Sequence, residues 1–129
     1  MRFMMTLPCP PDILEQAAAA PNKEIVTAMH RYNEEMTKAG VLLAAEGLHG
    51  TSKGWRIKVS GGKKIVTDGP FTEAKEVIAG FWIIQVKSKE EALEWAKRCP
   101  LPEHGLMEIR QVFENCDFPP ELQKKQAQA

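Results

Sequence analysis

The residues with the clearest capacity for chemistry lie in one short run, residues 68–76, whose sequence is DGPFTEAKE. Asp68 stands in an Asp-Gly-Pro turn directly after a strand-like segment, and the loops that leave strands are where folds usually carry function. A carboxylate held in such a loop can act as a general base. It can equally be a turn residue whose oxygens accept backbone N–H bonds around Gly69. The residues alone leave both interpretations open.

Histidines supply the second half of a possible acid–base pair. His49 lies close to two glycines at the end of a predicted strand, where the backbone can approach a ligand closely. If His49 converges with Asp68, the two form a proton-transfer pair; otherwise His49 is an ordinary loop residue. The catalytic candidates are therefore Asp68 and His49. His30 precedes Glu34 by four residues, a spacing that can orient an imidazole but is also typical of a solvent-exposed pair on a helix.

Charged residues near strand ends suggest a site for a small polar ligand. The predicted ligand-binding residues are Phe71, Glu73, Lys75 and Arg110. Glu73 and Lys75 could line such a site, or they could belong to the first turn of a short helix capped by Thr72. Arg110 shares a strand face with Glu108, so it either pairs with that carboxylate or offers two N–H groups to a carboxylate or phosphate ligand.

Composition narrows the class of protein. The chain has 129 residues, 43% of them hydrophobic and 26% charged, which indicates one globular domain with a substantial core. Lysine plus arginine and aspartate plus glutamate both total 17, so no overall field favours nucleic acid or an anionic membrane as a partner. A local basic cluster is interpreted as the solvated side of a hairpin, where lysine also blocks edge pairing. Its members are Lys53, Arg56, Lys58, Lys63 and Lys64.

The cysteines indicate a reducing compartment. There are three, with no Cys-x-x-Cys pair and no metal-ligand spacing, so we expect neither a disulfide framework nor a metal or other cofactor. Prolines at positions 8, 10 and 11 break the short apolar run near the N-terminus, and no stretch approaches the length of a membrane span. We therefore expect a cytoplasmic protein.

The pattern of apolar residues predicts alternating strands and helices over residues 1–113, followed by a Pro- and Gln-containing tail, 114–129, that is frayed at its end. A helix runs from an Asn22 cap to Gly40, and another begins at a Ser88 capping box. Residues 12–20 are ambiguous and could form a short helix that Pro21 ends. The predicted strands are Arg2–Leu7, Val41–Ala45, a Trp55–Val59 and Lys63–Thr67 hairpin, Phe81–Val86 and Leu106–Phe113.

Without the hairpin, this order is βαββαβ, the ferredoxin-like α+β pattern, with two helices on one face of an antiparallel sheet. The strand from Phe81 to Ile84 is apolar at every position, so both of its faces need cover although the helices cover only one. Large exposed apolar patches are rare on monomers. A homodimer that pairs sheet to sheet is the simplest solution.

Several runs resemble one known family in the same order along residues 1–113. They are Ala39-Gly40, Glu46-Gly47-Leu48, Gly61-Gly62, residues 67–76, Gly80-Phe81-Trp82, Glu91–Ala96 and Met107–Arg110. The chain resembles the YCII-related family, in particular its DGPF-domain branch. The resemblance implies a dimeric α+β barrel of ferredoxin-like protomers. For the function it implies metal-free acid–base chemistry of lyase, isomerase or hydrolase type on a small anionic or aromatic ligand. The alternative is a regulatory role beside an extracytoplasmic-function sigma factor.

The resemblance carries over one catalytic position and departs at another. Asp68 matches the aspartate that recurs in the family's cleft. The family's histidine lies on the first long helix, eleven residues before the glycine that ends it; here that position is Met29, and His30 is its neighbour. One position turns a helical side chain by about 100°. The resemblance therefore leaves His30 and His49 as alternative substitutes.

Overall fold

The chain forms six strands and three α-helices within residues 1–124, the part that the computed structural model describes. The strands are β1 (Arg2–Cys9), β2 (Leu42–Gly47), β3 (Trp55–Ser60), β4 (Lys63–Asp68), β5 (Val77–Gln85) and β6 (Glu108–Gln111). The helices are α1 (Pro11–Ala19), α2 (Lys23–Lys38) and α3 (Lys89–Lys97). The ambiguous segment 12–20 is thus helical, whereas β6 covers only the middle of the predicted strand 106–113.

The topology is ferredoxin-like, as the element order predicted. β2, β5, β1 and β6 form one antiparallel sheet in that order. β3 and β4 form a separate two-stranded sheet, which is the predicted inserted hairpin. Removing this hairpin leaves βαββαβ with the two central strands, β5 and β1, paired side by side.

The core lies between this sheet and helices α2 and α3. Met5 and Ile84 from the sheet and Met36 from α2 are fully buried in it. Along β5 the alternate residues Trp82 and Ile84 are buried, while Phe81 and Ile83 point to the other side and are half-buried. We call that second side, which α2 and α3 do not cover, the open face. The predicted two-sided apolar strand is therefore confirmed.

Capping residues begin both long helices where the sequence predicted. The Asn22 side chain accepts a hydrogen bond of 3.1 Å from the backbone N–H of Ile25, and Ser88 accepts one of 3.1 Å from Glu91. Gly40 follows α2 with a φ of 73°, a left-handed conformation that glycine adopts without strain. These caps fix the ends of the helices and hence the angle at which each one crosses the sheet.

The apolar stripe of α2 is covered only over its C-terminal half. Tyr32 and Met36 are buried, whereas Ile25 and Val26 are 39% and 40% exposed. Ile25, Met29, Tyr32 and Met36 recur at helical spacing, which predicts one continuous core-facing stripe, but the first turns of the helix stand away from the sheet. A space therefore remains between the beginning of α2 and the edge of the sheet.

The segment after β6 folds back toward the first strand. Arg2 Nε donates to Glu114 Oε1 at 2.9 Å, and Phe113 stacks on Phe118. The frayed end predicted for the tail falls on residues 125–129, which lie outside the described residues. Within residues 1–124, no helix is long and apolar enough to cross a membrane.

Candidate functional site

The run 68–76, which we call the motif loop, is braced against the turn at residues 51–53. Gly69 N–H donates to Gly54 O at 2.9 Å, and Phe71 N–H donates to Thr51 Oγ1 at 3.0 Å. A Cβ on Gly69 would overlap the carbonyl oxygen of Thr51, so only glycine allows this approach. Residues 71–76 form turns and bends without any helix, so the alternative helix capped by Thr72 is wrong.

Asp68 and His49 both lie on the surface near this brace. Asp68 is the last residue of β4, opposite Trp55 in the hairpin, and it is exposed. His49 is also exposed and directly precedes the buried Gly50. Among residues 1–124 the two side chains share no hydrogen bond. Their catalytic pairing stays a prediction.

Two of the predicted ligand-binding residues are engaged with the same arginine. Phe71 is buried, and the guanidinium carbon of Arg56 lies 4.0 Å from its ring centroid. Arg56 Nη1 also donates to Glu73 Oε1 at 3.3 Å. The cation thus stacks on one residue and pairs with the other, which ties the hairpin to the motif loop.

Lys75 lines a cavity of about 560 Å³ between the motif loop and α1, which we call the loop cleft. Three prolines and the hydroxyls of Thr51, Ser52 and Thr72 line the same cavity. On its far wall the Glu15 carboxylate accepts 2.9 Å hydrogen bonds from the backbone N–H and the hydroxyl of Ser52, which lower the pKa of that carboxyl. The loop cleft therefore combines one cation with a carboxylate that is already hydrogen-bonded.

Arg110 lies apart from the other predicted residues, on the open face of the sheet. Its Cα pairs with that of Met4, and Glu108 pairs with Thr6 two residues along. Within the described part of the chain Arg110 and Glu108 form no ion pair, so the predicted mutual pairing is absent. The structure does not gather the six predicted site residues into one pocket.

A second cavity, of about 370 Å³, occupies the space between the beginning of α2 and the sheet. We call it the helix groove. Its walls are mainly apolar. The lining residues are Leu7, Ile25, Val26, Met29, His30, Asn33, Ala45, Glu46, Gly47, Ala79, Gly80, Phe81 and Trp82. Ligand sites are typically apolar cavities with a few convergent polar groups, and this groove has that composition.

Asn33 is the best-defined polar group of the helix groove. Trp82 is 5% exposed, and its indole Nε1–H donates to Asn33 Oδ1 at 2.7 Å. Because an indole N–H can only donate, this bond fixes which end of the amide is the oxygen. The Asn33 NH₂ group makes no hydrogen bond within residues 1–124, so two donors are available to a molecule in the groove.

His30 adds an imidazole to the same groove from α2, whereas Glu46 of β2 borders the groove but pairs with Phe81, so its carboxylate points to the open face. His30 lies one residue beyond Met29, and both line the cavity because it opens along the side of the helix. Gly47 pairs with Gly80 at the sheet edge, and a Cβ on Gly47 would meet nothing within 4 Å. The glycine therefore leaves space that a ligand ring can enter.

Sequence reasoning did not identify Asn33 or Glu46 as site residues. The available signals were a polar Asn33 next to the apolar stripe of α2 and the Glu46-Gly47 run at a strand end. Within residues 1–124, no cluster of three or more His, Cys, Asp and Glu side chains is arranged to bind a metal ion.

Comparisons with known proteins agree with this fold. The sequence model of a family described as the YCII-related domain matches residues 1–115. An uncharacterised protein of Rhizobium meliloti (strain 1021) is 31% identical over 91 residues, which are 69% of this chain and 73% of that protein. The family match, over residues 1–115, spans the strands and helices described above, including the helix groove and the motif loop.

Proposed function

Because this chain belongs to the YCII-related domain family, we propose that it binds a small aromatic or anionic molecule in the helix groove. The observation that carries the proposal is the free amide donor of Asn33 within an apolar cavity of about 370 Å³. Asn33 is half-buried, so its amide is open to the groove, and a carbonyl or carboxylate oxygen of a ligand would accept hydrogen bonds from it.

The lining of the groove defines the chemistry of the ligand. Ile25 and Met29 on the helix side and Trp82 on the sheet side favour a flat apolar body. The Asn33 amide and the His30 imidazole favour a carbonyl or carboxylate group on that body. A small aromatic carboxylate combines both features and fits a cavity of this size.

We propose that the working form is a cytoplasmic homodimer of the DGPF branch. Half-buried Met4, Phe81 and Ile83 line the open face, which α2 and α3 leave uncovered. A second copy is the simplest cover for such a face. The Asp68–Phe71 run supports the branch, and the free thiols of Cys9, Cys99 and Cys116 support a reducing compartment.

A second candidate function is acid–base catalysis in the same groove, without a metal. His30 lines it, and an imidazole can take a proton from one position of a substrate and return it to another. This chemistry would be of lyase or isomerase type. Asp68 and His49 lie outside the groove lining, so this candidate does not use them.

Nuclear magnetic resonance tests the binding proposal directly. We expect benzoate and related aromatic carboxylates to shift the ¹⁵N–¹H signals of Gly47, Gly80 and the Asn33 side-chain amide. Gly47→Val fills the open space beside the groove and should abolish those shifts. Asp68→Asn is the matched control and should leave them unchanged. Shifts concentrated around Lys75 and Ser52 would show that the ligand binds in the loop cleft, which would contradict this proposal.

The catalytic candidate has its own test. Proton–deuterium exchange at the acidic carbon of a bound keto acid should occur with the wild type and fall at least about 100-fold in His30→Gln. Glu46→Gln, whose side chain lies on the open face, is the control and should leave the exchange rate unchanged. Both variants should still bind the ligand, and exchange that persists in His30→Gln would contradict the assignment of the proton-transfer group.

A further inference from the structure

A second apolar surface outside the helix groove lies on the β3–β4 hairpin, residues 55–68, which we call the arm. Trp55, Ile57 and Val59 alternate along β3 and therefore share one face with Val66, the cross-strand partner of Ile57. All four side chains are between 62% and 68% exposed. Together they present on the order of 400 Å² of apolar surface on a ribbon of only two strands.

The arm is fixed to the body of the protein only at its base. Gly69 N–H donates to Gly54 O at 2.9 Å, and Arg56 contacts Phe71 and Glu73 of the motif loop. Because successive side chains of a strand point to opposite faces, the face with Trp55 points away from that loop. An isolated two-stranded hairpin is marginally stable in water, so a partner on its apolar face would stabilise it.

The charges of the arm identify what kind of partner fits. Three of the four cations of the arm, Arg56, Lys58 and Lys63, lie on the face opposite Trp55. Lys64, the cross-strand partner of Val59, lies on the Trp55 face together with the carboxylate of Asp68. A nucleic acid or an anionic lipid surface attracts cations to the contacting face. With Trp55 in contact, these three cations would point away from such a partner. An apolar protein surface matches the Trp55 face better.

The rest of the chain carries the complementary charge. Residues 55–68, the arm, contain four of the 17 cationic side chains and one of the 17 carboxylates, which leaves 13 cations and 16 carboxylates elsewhere. The arm is therefore basic and the body of another copy is net acidic. Because most of these cations point away from the docking face, the complementarity acts at long range and speeds the encounter of two copies.

We propose that the apolar face of the arm docks on a second copy of this chain. The inference rests on the homodimer proposed above and adds a contact that the open face does not supply. A stable interface buries about 800 Å² on each partner, and the arm supplies roughly half of it. The six-residue strands of the arm extend about 20 Å, which is long enough to lie across several strands of a second copy.

Sedimentation equilibrium of two matched variants tests this proposal. Ile57→Thr removes apolar surface from the docking face, whereas Ile65→Thr makes the same change on the opposite face, next to Lys58. A symmetric dimer loses the contact twice, so Ile57→Thr should raise the dimer dissociation constant on the order of 50- to 100-fold. Ile65→Thr should change it less than about threefold. Threonine favours strands, so both hairpins should still form.

The emission of Trp55 provides an independent readout. On dilution from about 100 to about 1 µM, wild-type emission should shift to longer wavelength as the dimer dissociates, and Trp55→Phe should lose that shift. Equal effects of Ile57→Thr and Ile65→Thr on a stable dimer would overturn the arm contact and leave the proposed dimer intact. A wild type that sediments as one subunit at about 100 µM would overturn both. If the wild type binds phosphatidylserine vesicles and Ile57→Thr abolishes that binding, the arm contacts a lipid surface. That outcome would also overturn the proposed contact with a second copy.

Discussion

The hydrogen bond between Trp82 and Asn33 joins the core to the helix groove, and its removal has a calculable effect. In Asn33→Ala the indole N–H loses its acceptor, which costs about 1–2 kcal/mol of the free energy of unfolding because the donor is buried on one side and faces the groove on the other. Alanine recovers about 0.5 kcal/mol through its higher helix propensity. The net loss should therefore be about 1 kcal/mol.

A double-mutant cycle separates the hydrogen bond from the other effects of the substitution. Trp82→Phe removes the donor, so Asn33→Ala in that background should be neutral or slightly stabilising. The coupling between the two sites, measured by urea unfolding, should be about 1–2 kcal/mol. A coupling below about 0.3 kcal/mol would refute a stabilising role for this bond.

Asn33→Asp distinguishes stability from ligand binding. The carboxylate keeps an acceptor for the indole N–H, so the free energy of unfolding should change by less than about 0.5 kcal/mol. The substitution removes the free NH₂ donors and adds a negative charge to the groove. Affinity for benzoate, measured by calorimetry, should fall at least about tenfold. Unchanged affinity would show that Asn33 has no contact with the ligand.

Two further predictions concern stability. Gly69→Ala should lower the free energy of unfolding by about 2–3 kcal/mol, because its Cβ would overlap the Thr51 carbonyl and strain the brace. Gly47→Ala is the control and should change the free energy of unfolding by less than about 1 kcal/mol. Urea titrations measure both changes, and equal effects would contradict the brace. Burial raises the pKa of the Cys99 thiol from 9.0 to about 11, so the unfolded chain holds fewer protons between these values and stability should fall as pH rises from 9 to 11. Cys99→Ala should reduce this slope and the exposed Cys116→Ala should keep it in full, while Cys9 and Tyr32, whose pKa values burial also raises, maintain the remainder in both variants; equal slopes in the two variants would assign the effect to groups other than Cys99.

The topology followed from local patterns because each pattern has one physical cause. The Asn22 and Ser88 side chains mark where two helices begin, because each accepts a hydrogen bond from a backbone N–H that has no partner within its helix. The alternation along β5 divides its side chains between the core and the open face. These signals are local in sequence, so one chain is enough to interpret them.

The helix groove could not be predicted in the same way. It exists because Ile25 and Val26 stand away from the sheet while Tyr32 and Met36 pack against it, and the hydrophobic pattern of α2 is the same in both halves. The angle between helix and sheet depends on packing at both ends of the helix. Met29 and His30 can both line the groove only because of that angle. The angle cannot be inferred from the positions of residues along the helix.

The motif loop illustrates a different limit. Its sequence is the most distinctive in the chain, yet the contacts of Gly69, Phe71 and Arg56 are those of a brace that connects the arm to the body. If the arm docks on a second copy, its orientation matters, and a rigid brace is what sets that orientation. The glycine, the stacked phenyl ring and the paired Glu73 then follow from one requirement, a fixed base for the arm. A distinctive run can thus arise from assembly, while the groups best suited to hold a ligand lie on α2 and β2.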